Sequence, residues 1–317
     1  MLTWSLGPDL EVMFPVTFDA PSEPVSIEEW VRQNRVAINK DLKETGVVLI
    51  RGLAMREPGD FNRFVTAFGL PVFSYQESLS NAVRINYSER VFTANEAPPE
   101  VEIYLHHEMA QTPVSPSVLY FCCISAAEQG GATPVCRSDQ LFKAFRLSHP
   151  NWTEQLVAKG LRYVTRMPAV SDESSGQGRS WYSTLDVSDK HEAEKKLASM
   201  GYAYTWQSND ELETLSPALP GIVDLTNGAQ SFYHQLIAAY RGWPGVRENP
   251  TSGVMFGDKT EIPVGLLESL SAMAEDYTTD LRWADGEIAI VDNRMIMHGR
   301  RPYSGNRKRQ VLVSMAT

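Results

Sequence analysis

The sequence predicts a mostly β fold with helical decoration: a double-stranded β-helix, or jelly-roll barrel, with flanking helices and one long insertion. Three observations lead there. Short apolar runs bounded by turn residues dominate both the part after residue 90 and the C-terminal end. Helical periodicity is confined to the N-terminal part and the middle. Two polar fragments, Tyr104–Met109 and Asp292–Arg301 with Arg309 behind it, sit on opposite sides of the mixed middle and suit a shared site.

The elements follow in order. Ser26 is an N-cap, Glu28 and Glu29 occupy the first turn, and Ile27, Trp30, Val31 and Ile38 form an apolar stripe, so a helix runs from Ser26 to Glu44 and stops at Gly46. Val47-Val48-Leu49-Ile50 is a short strand. A second helix spans Asp60 to Phe68. Val118 to Ile124 reads as a core strand in which Cys122 and Cys123 act as small hydrophobes. Asp139 to Leu147, Thr153 to Lys159, Asp189 to Met200 and Ser231 to Arg241 read as helices, and Ser171 to Arg179 as a polar loop. Glu287 to Asp292, Met295 to His298 and Gln310 to Ser314 form a closing group of strands. With no repeats and no long linker, residues 1–317 read as a single domain carrying an insertion at 151–250.

Composition limits the function. The 43% hydrophobic and 10% aromatic content supports a sizeable core. A net charge of −10 argues against nucleic acid and against anionic membranes as partners. No run approaches the roughly 18–20 apolar residues of a spanning helix. The N-terminus lacks a signal-peptide pattern, and three cysteines without CxxC spacing fit a reducing compartment, so the expected location is cytoplasmic. Oligomeric state is left open.

In a strand, residues i and i+2 share a face, so His106 and Glu108 point together and His107 points away. His298, placed at a barrel rim, supplies a second imidazole. Two histidines and one carboxylate take one face of Fe(II) and leave positions for O2 and an organic ligand. A short turn from Tyr303 to Lys308 returns Arg309 beside the metal on the adjacent strand, where a guanidinium clamps a carboxylate. Thr133, in Gly130-Gly131-Ala132-Thr133-Pro134, adds a hydroxyl to that carboxylate.

Taken together, His106-x-Glu108, the Gly130–Pro134 turn, His298 and Arg309 resemble the Fe(II)/2-oxoglutarate-dependent dioxygenases of the taurine-dioxygenase (TauD/TfdA) family. Thr93–Pro99, His106–Gln111, Ala238–Trp243 and Phe256–Asp258 are similar to its clavaminate synthase-like, or SyrP-like, subgroup. The resemblance implies Fe(II), 2-oxoglutarate and O2 as cofactors, decarboxylation to succinate and CO2, and Arg309 with Thr133 on the distal carboxylate of 2-oxoglutarate. It implies hydroxylation of an unactivated C–H bond in a small polar, amino-acid-like molecule, free or tethered to a carrier protein. Desaturation or cyclisation in natural-product biosynthesis is the alternative chemistry. A non-catalytic iron- and 2-oxoglutarate-binding regulator is the alternative class. Glu108 speaks against a halogenase, which replaces this carboxylate by Gly or Ala. Val311–Met315 carries no arginine for a sulfonate, so alkylsulfonates are not expected. Asn95, Gln111 and Arg294 are the candidate substrate contacts, and the 151–250 insertion is expected to form part of a lid.

Overall fold

Side-chain alternation along two neighbouring strands builds the centre of the protein. In Ile288–Asp292, Ile288 and Ile290 face one way, while Ala289 and Val291 face the other. In Val118–Ser125, Tyr120 and Cys122 share the first side, and Leu119, Phe121 and Cys123 the second. All of them are buried. A strand covered on both faces reads as a continuous apolar run, which is why both were legible as strands. The cysteines are free, buried and on opposite faces of the sheet, or in the case of Cys136 in the second sheet.

The structure, a computed structural model, describes residues 2–5, 11–74, 79–80, 82–172 and 178–317. The two strands are central in a six-stranded sheet. Its order is Val16–Asp19, Val47–Arg51, Ile288–Asp292, Val118–Ser125, Gln310–Ala316, Phe92–Thr93. The first pair is parallel and the rest antiparallel, so the sheet is mixed. One face is covered by the helices Ile27–Thr45 and Pro58–Phe68, which bury Trp30, Val31, Ile38, Phe61 and Phe64 against it. The first helix starts at Ser26, whose hydroxyl accepts the Glu29 N–H, and closes at Gly46, whose N–H reaches Leu42 O.

A four-stranded antiparallel sheet faces the other side, in the order Thr278–Leu281, Thr133–Arg137, Ile296–Arg300, Ile103–His106. Val135, Leu281 and Ile296 meet Leu49, Phe121, Val311 and Val313 in one core between the sheets. Cys136, Leu105 and Met297 point outward, under the helices Ser138–Ser148, Pro150–Lys159, Leu236–Gly242 and Val264–Asp276. The result is a sheet-rich mixed fold with helices on both outer faces. Among the described residues, no helix is long and apolar enough to cross a membrane.

Within 151–250 the expected helix Ser231–Arg241 is corrected. Gln230–Phe232 is a strand paired with Ile222–Asp224, and the helix begins only at Leu236. Phe232 and Leu236 both bury in the same core, so apolar spacing did not separate a strand end from a helix start. The strands Ala203–Trp206, Leu212–Leu215, Leu161–Met167 and Val254–Phe256 form a further sheet. Beside it, Trp181, Leu185, Leu197 and Leu212 make a small separate core, with Trp206 packed against it. Of the loop Ser171–Arg179, residues 173–177 lie outside the described residues.

Candidate metal centre and its cavity

His106 and His298 are directly opposite each other on paired strands, with ring centroids 4.4 Å apart. Side chains directly opposite on an antiparallel pair are its closest cross-strand neighbours. The pairing slips beyond them, so that Arg300 lies opposite Ile103. Gly299 makes that slip possible: a Cβ there would stand 2.3 Å from Ile103 O. His298 is therefore set in the middle of a strand, at a bulge, rather than at a rim after a turn.

Glu108 reaches the pair differently from the expectation. The strand ends at His106, and Glu108 sits in the turn that follows, with Met109 at φ 58°. Asn293 fixes that turn: its Oδ1 accepts the Glu108 N–H (2.8 Å) and its Nδ2 donates to Glu108 O (3.0 Å) and Pro116 O (2.8 Å). Glu108 Oε2 lies 3.5 Å from His298 Nε2 and 4.0 Å from His106 Nε2. One donor atom from each of His106, Glu108 and His298 falls within 4.8 Å of the others, a set able to hold a metal ion. His107 turns the other way, where its Nδ1 accepts the His234 N–H (3.1 Å).

The protonation states fit ligation. Burial, and next the neighbouring His298, push His106 down to about 4. Its Nδ1 is 2.8 Å from Tyr104 O, so the proton belongs there and Nε2 keeps its lone pair. Burial works against ionising Glu108, but Arg84 and then His298 outweigh it and hold the carboxyl down to about 2. At neutral pH His106 is thus a neutral imidazole and Glu108 a carboxylate, the forms that bind a divalent metal.

The three residues line a cavity of about 450 Å³. Volumes of this order suit small ligands. Its walls include the 94–104 segment, Phe121, Val311 and Val313, and the 238–244 stretch through Ala238, Gly242, Trp243 and Pro244. Arg309 and Thr133 are also on the wall. Arg309 precedes Gln310–Ala316, a strand of the facing six-stranded sheet, not of the sheet that carries His298. It therefore approaches from across the core, a correction to the adjacent-strand expectation. Its Nε and Nη2 donate to Gly131 O (3.2 and 3.1 Å). Burial first, then Arg300, lower its pKa to about 10, which leaves it charged. Gly131 adopts φ 70°, and a Cβ there would press on Arg309 Nε at 3.0 Å, so the residue that seats this guanidinium has to be small. Thr133 is buried, and its Oγ1 accepts the Trp283 Nε1–H (2.9 Å), leaving the hydroxyl proton to be donated elsewhere.

Of the substrate candidates, Asn95 and Gln111 line the cavity. Asn95 Oδ1 accepts the Ala97 N–H in a local turn, whereas Gln111 Oε1 is buried with no hydrogen-bond partner among the described residues. Arg294 does not line the cavity. It lies on a second cleft with Ser115 and Tyr233, because the turn at Asp292 aims it away from His298.

Four side chains escaped the sequence reading. Asn293 looked like an ordinary turn residue. Trp283 and Arg84 carry no motif. Arg84 Nη2 pairs with Glu108 Oε1 at 3.1 Å, with both side chains buried. Arg300, which likewise carries no motif, is buried and donates to the carbonyls of Ala97 (2.8 Å), Pro98 (2.6 Å) and Val101 (2.8 Å), holding that cavity wall in place.

Known proteins are similar to this chain along most of its length. The family model described as taurine catabolism dioxygenase TauD, TfdA family, matches residues 13–315. A clavaminate synthase-like protein of Arabidopsis thaliana is 32% identical over 311 residues, covering 95% of this chain and 93% of that protein. The dapdiamide synthesis protein DdaC of Enterobacter agglomerans is 25% identical over 304 residues, covering 91% and 87%. A taurine dioxygenase structure from Burkholderia xenovorans superposes with a TM-score of 0.55 at 16% identity, covering 95% of this chain and 85% of that one. The chain belongs to the TauD/TfdA family and is an iron(II)- and 2-oxoglutarate-dependent dioxygenase that uses O2.

Proposed function

We propose that the protein hydroxylates an unactivated C–H bond of a small polar, amino-acid-like substrate, with decarboxylation of 2-oxoglutarate to succinate and CO2. In this reading His106, Glu108 and His298 hold the iron. The observation that carries it is the convergence of their donor atoms on a cavity whose wall also bears Arg309 and Thr133. Iron, 2-oxoglutarate and O2, when bound, supply the oxidising chemistry. Arg309 and the Thr133 hydroxyl, directed by Trp283, orient the distal carboxylate of 2-oxoglutarate. Phe121, Val311 and Val313 keep water from the reacting carbon. Gln111 Oε1, buried without a hydrogen-bond partner among the described residues, accepts an N–H of the substrate. The amino-acid-like class, free or carrier-tethered, and a place in natural-product biosynthesis draw support from the dapdiamide synthesis relative.

The two facing sheets are read as the walls of a jelly-roll barrel, and residues 1–317 as one domain. In the 151–250 insertion, the lid role falls to the helix Leu236–Gly242 with Trp243 and Pro244, which contribute cavity wall. Arg179, also in the insertion, reaches the cavity residue Ser80, donating to its carbonyl at 3.2 Å.

Apoprotein loaded anaerobically should take up one Fe(II) per chain. His106→Ala, Glu108→Ala and His298→Ala should each abolish stoichiometric binding, and His107→Ala should leave it intact. Iron analysis giving the reverse for the two neighbouring histidines would refute the ligand set.

Removing one partner of a buried charge pair typically costs about 2–5 kcal/mol. Arg309→Ala should therefore raise the 2-oxoglutarate dissociation constant by at least about tenfold, with iron uptake little changed. Calorimetry that finds the same constant in the variant rules out this clamp.

A screen of amino acids that follows succinate release, then mass spectrometry of the product under 18O2, tests the reaction. Hydroxylation places one 18O in the product and one in succinate. A product lighter by two hydrogens means desaturation or cyclisation. Absence of succinate with every amino acid counts against this substrate class.

Under anaerobic conditions, 2-oxoglutarate and substrate should slow hydrogen exchange in residues 236–244 and 178–182. Unchanged exchange in both stretches removes the lid role.

A further inference from the structure

We propose that Arg84 is a positioning residue that confines Glu108 to ligation through one oxygen, and so keeps a position at the metal open for the cosubstrates. The proposal rests on the reading of His106, Glu108 and His298 as iron ligands. The carboxylate of Glu108 is divided between two partners. Its Oε1 accepts a hydrogen bond from Arg84 Nη2 at 3.1 Å. Its Oε2 faces the imidazoles, 3.5 Å from His298 Nε2 and 4.0 Å from His106 Nε2. The two side chains of the ion pair are only 6% and 8% exposed. A charge-assisted hydrogen bond in so dry a setting is not given up readily.

Glutamate makes such a restraint useful. It is one methylene longer than aspartate and freer to swing, so both oxygens can approach a metal held by two histidines. A carboxylate that chelates fills a position which 2-oxoglutarate or dioxygen needs. An oxygen tied to a buried guanidinium is drawn toward that partner and away from a chelating position.

Arg84 is itself held in place. Nη1 reaches Thr93 O at 3.4 Å, and the guanidinium lies 5.3 Å from the centroid of the Phe92 ring. Backbone bonds tie Ile85 to Thr93: the Thr93 N–H donates to Ile85 O (2.9 Å), and Thr93 Oγ1 accepts the Ile85 N–H (3.0 Å). Phe92 and Thr93 pair in turn with Val313 and Leu312. Arg84 is thus fastened to the strand whose first residue follows Arg309. A planar fork serves Thr93 and Glu108 at once, which a lysine ammonium on one stem does less well.

Arg84 could instead act only to neutralise a buried carboxylate. The two roles separate when a metal is present, because the metal also neutralises Glu108. The test uses full-length apoprotein and Co(II), whose visible spectrum reports coordination number, followed by calorimetric titration of 2-oxoglutarate into the Co(II) form. Arg84→Met should bind Co(II) at least as tightly as the parent. Its Co(II) spectrum should change before 2-oxoglutarate is added. Its 2-oxoglutarate dissociation constant should rise tenfold or more, with Arg84→Lys falling between the two. If Arg84→Met does not fold, by circular dichroism, Arg84→Gln is judged by the same criteria. A folded variant with the parent's spectrum and the parent's 2-oxoglutarate constant overturns the proposal. So does Co(II) binding weakened tenfold or more, which means that Arg84 holds Glu108 in place for the metal and does not limit it to one oxygen. If the parent itself binds no Co(II), the ligand reading fails and the proposal with it.

Discussion

The register between Ile103–His106 and Ile296–Arg300 governs the rest of the site. It sets two imidazoles opposite each other, and any slip by one residue would turn one of them to the other face of its strand. The slip that does occur falls just beyond the pair, at Gly299, and carries Arg300 to the carbonyls of 97, 98 and 101. Asn293 extends the same control to Glu108. It stands only a few residues before His298, and it holds the Glu108 main chain on both sides, 185 residues away in sequence. The convergence of the three donor side chains is therefore a property of one strand pair and its flanking turn.

Charge around that pair is arranged to be buried without being wasted. Glu108 is offset by Arg84. The Arg300 Nη atoms donate to backbone carbonyls and not to an acid, so the residue brings positive charge close to Arg309 and depresses its pKa. Arg309 spends part of its donor capacity on Gly131 and keeps its charge. A chain of net charge −10 thus maintains a locally cationic pocket, which suits a dianionic cosubstrate.

Much of this was visible in the sequence, and the misses have physical causes. The capped helix from Ser26 and the all-apolar strands at Val118 and Ile288 were legible because cap chemistry and double-sided burial leave local signatures. The metal candidates were legible because His106 and Glu108 are close in sequence. The reason given for their convergence was only half right, since the structure puts Glu108 in a turn. Arg309 was found from spacing, but its strand joined the opposite sheet, because sheet assignment is decided by tertiary pairing. Arg84 and Trp283 reach the site through hydrogen bonds to residues distant in sequence, and no local pattern announces such bonds. Arg294 shows the converse: closeness in sequence to His298 did not bring it to the cavity, because a turn reversed its direction.

Ribosomal synthesis delivers the strands in an awkward order. Val118–Ser125 lies between Ile288–Asp292 and Gln310–Ala316, and both of these emerge near the end of translation. Until then, an apolar strand meant for the centre of a sheet has both edges open, and His106 and Glu108 wait without their third partner. Contacts of such long sequence separation slow folding. The nascent chain therefore spends most of its synthesis time with a sticky half-sheet and an incomplete metal site, a state in which an early-arriving transition metal finds only a weak, two-ligand grip. Closure of the sheet and convergence of the three donors become one late event, so a molecule that presents the complete donor set is, by construction, one that has finished folding its core.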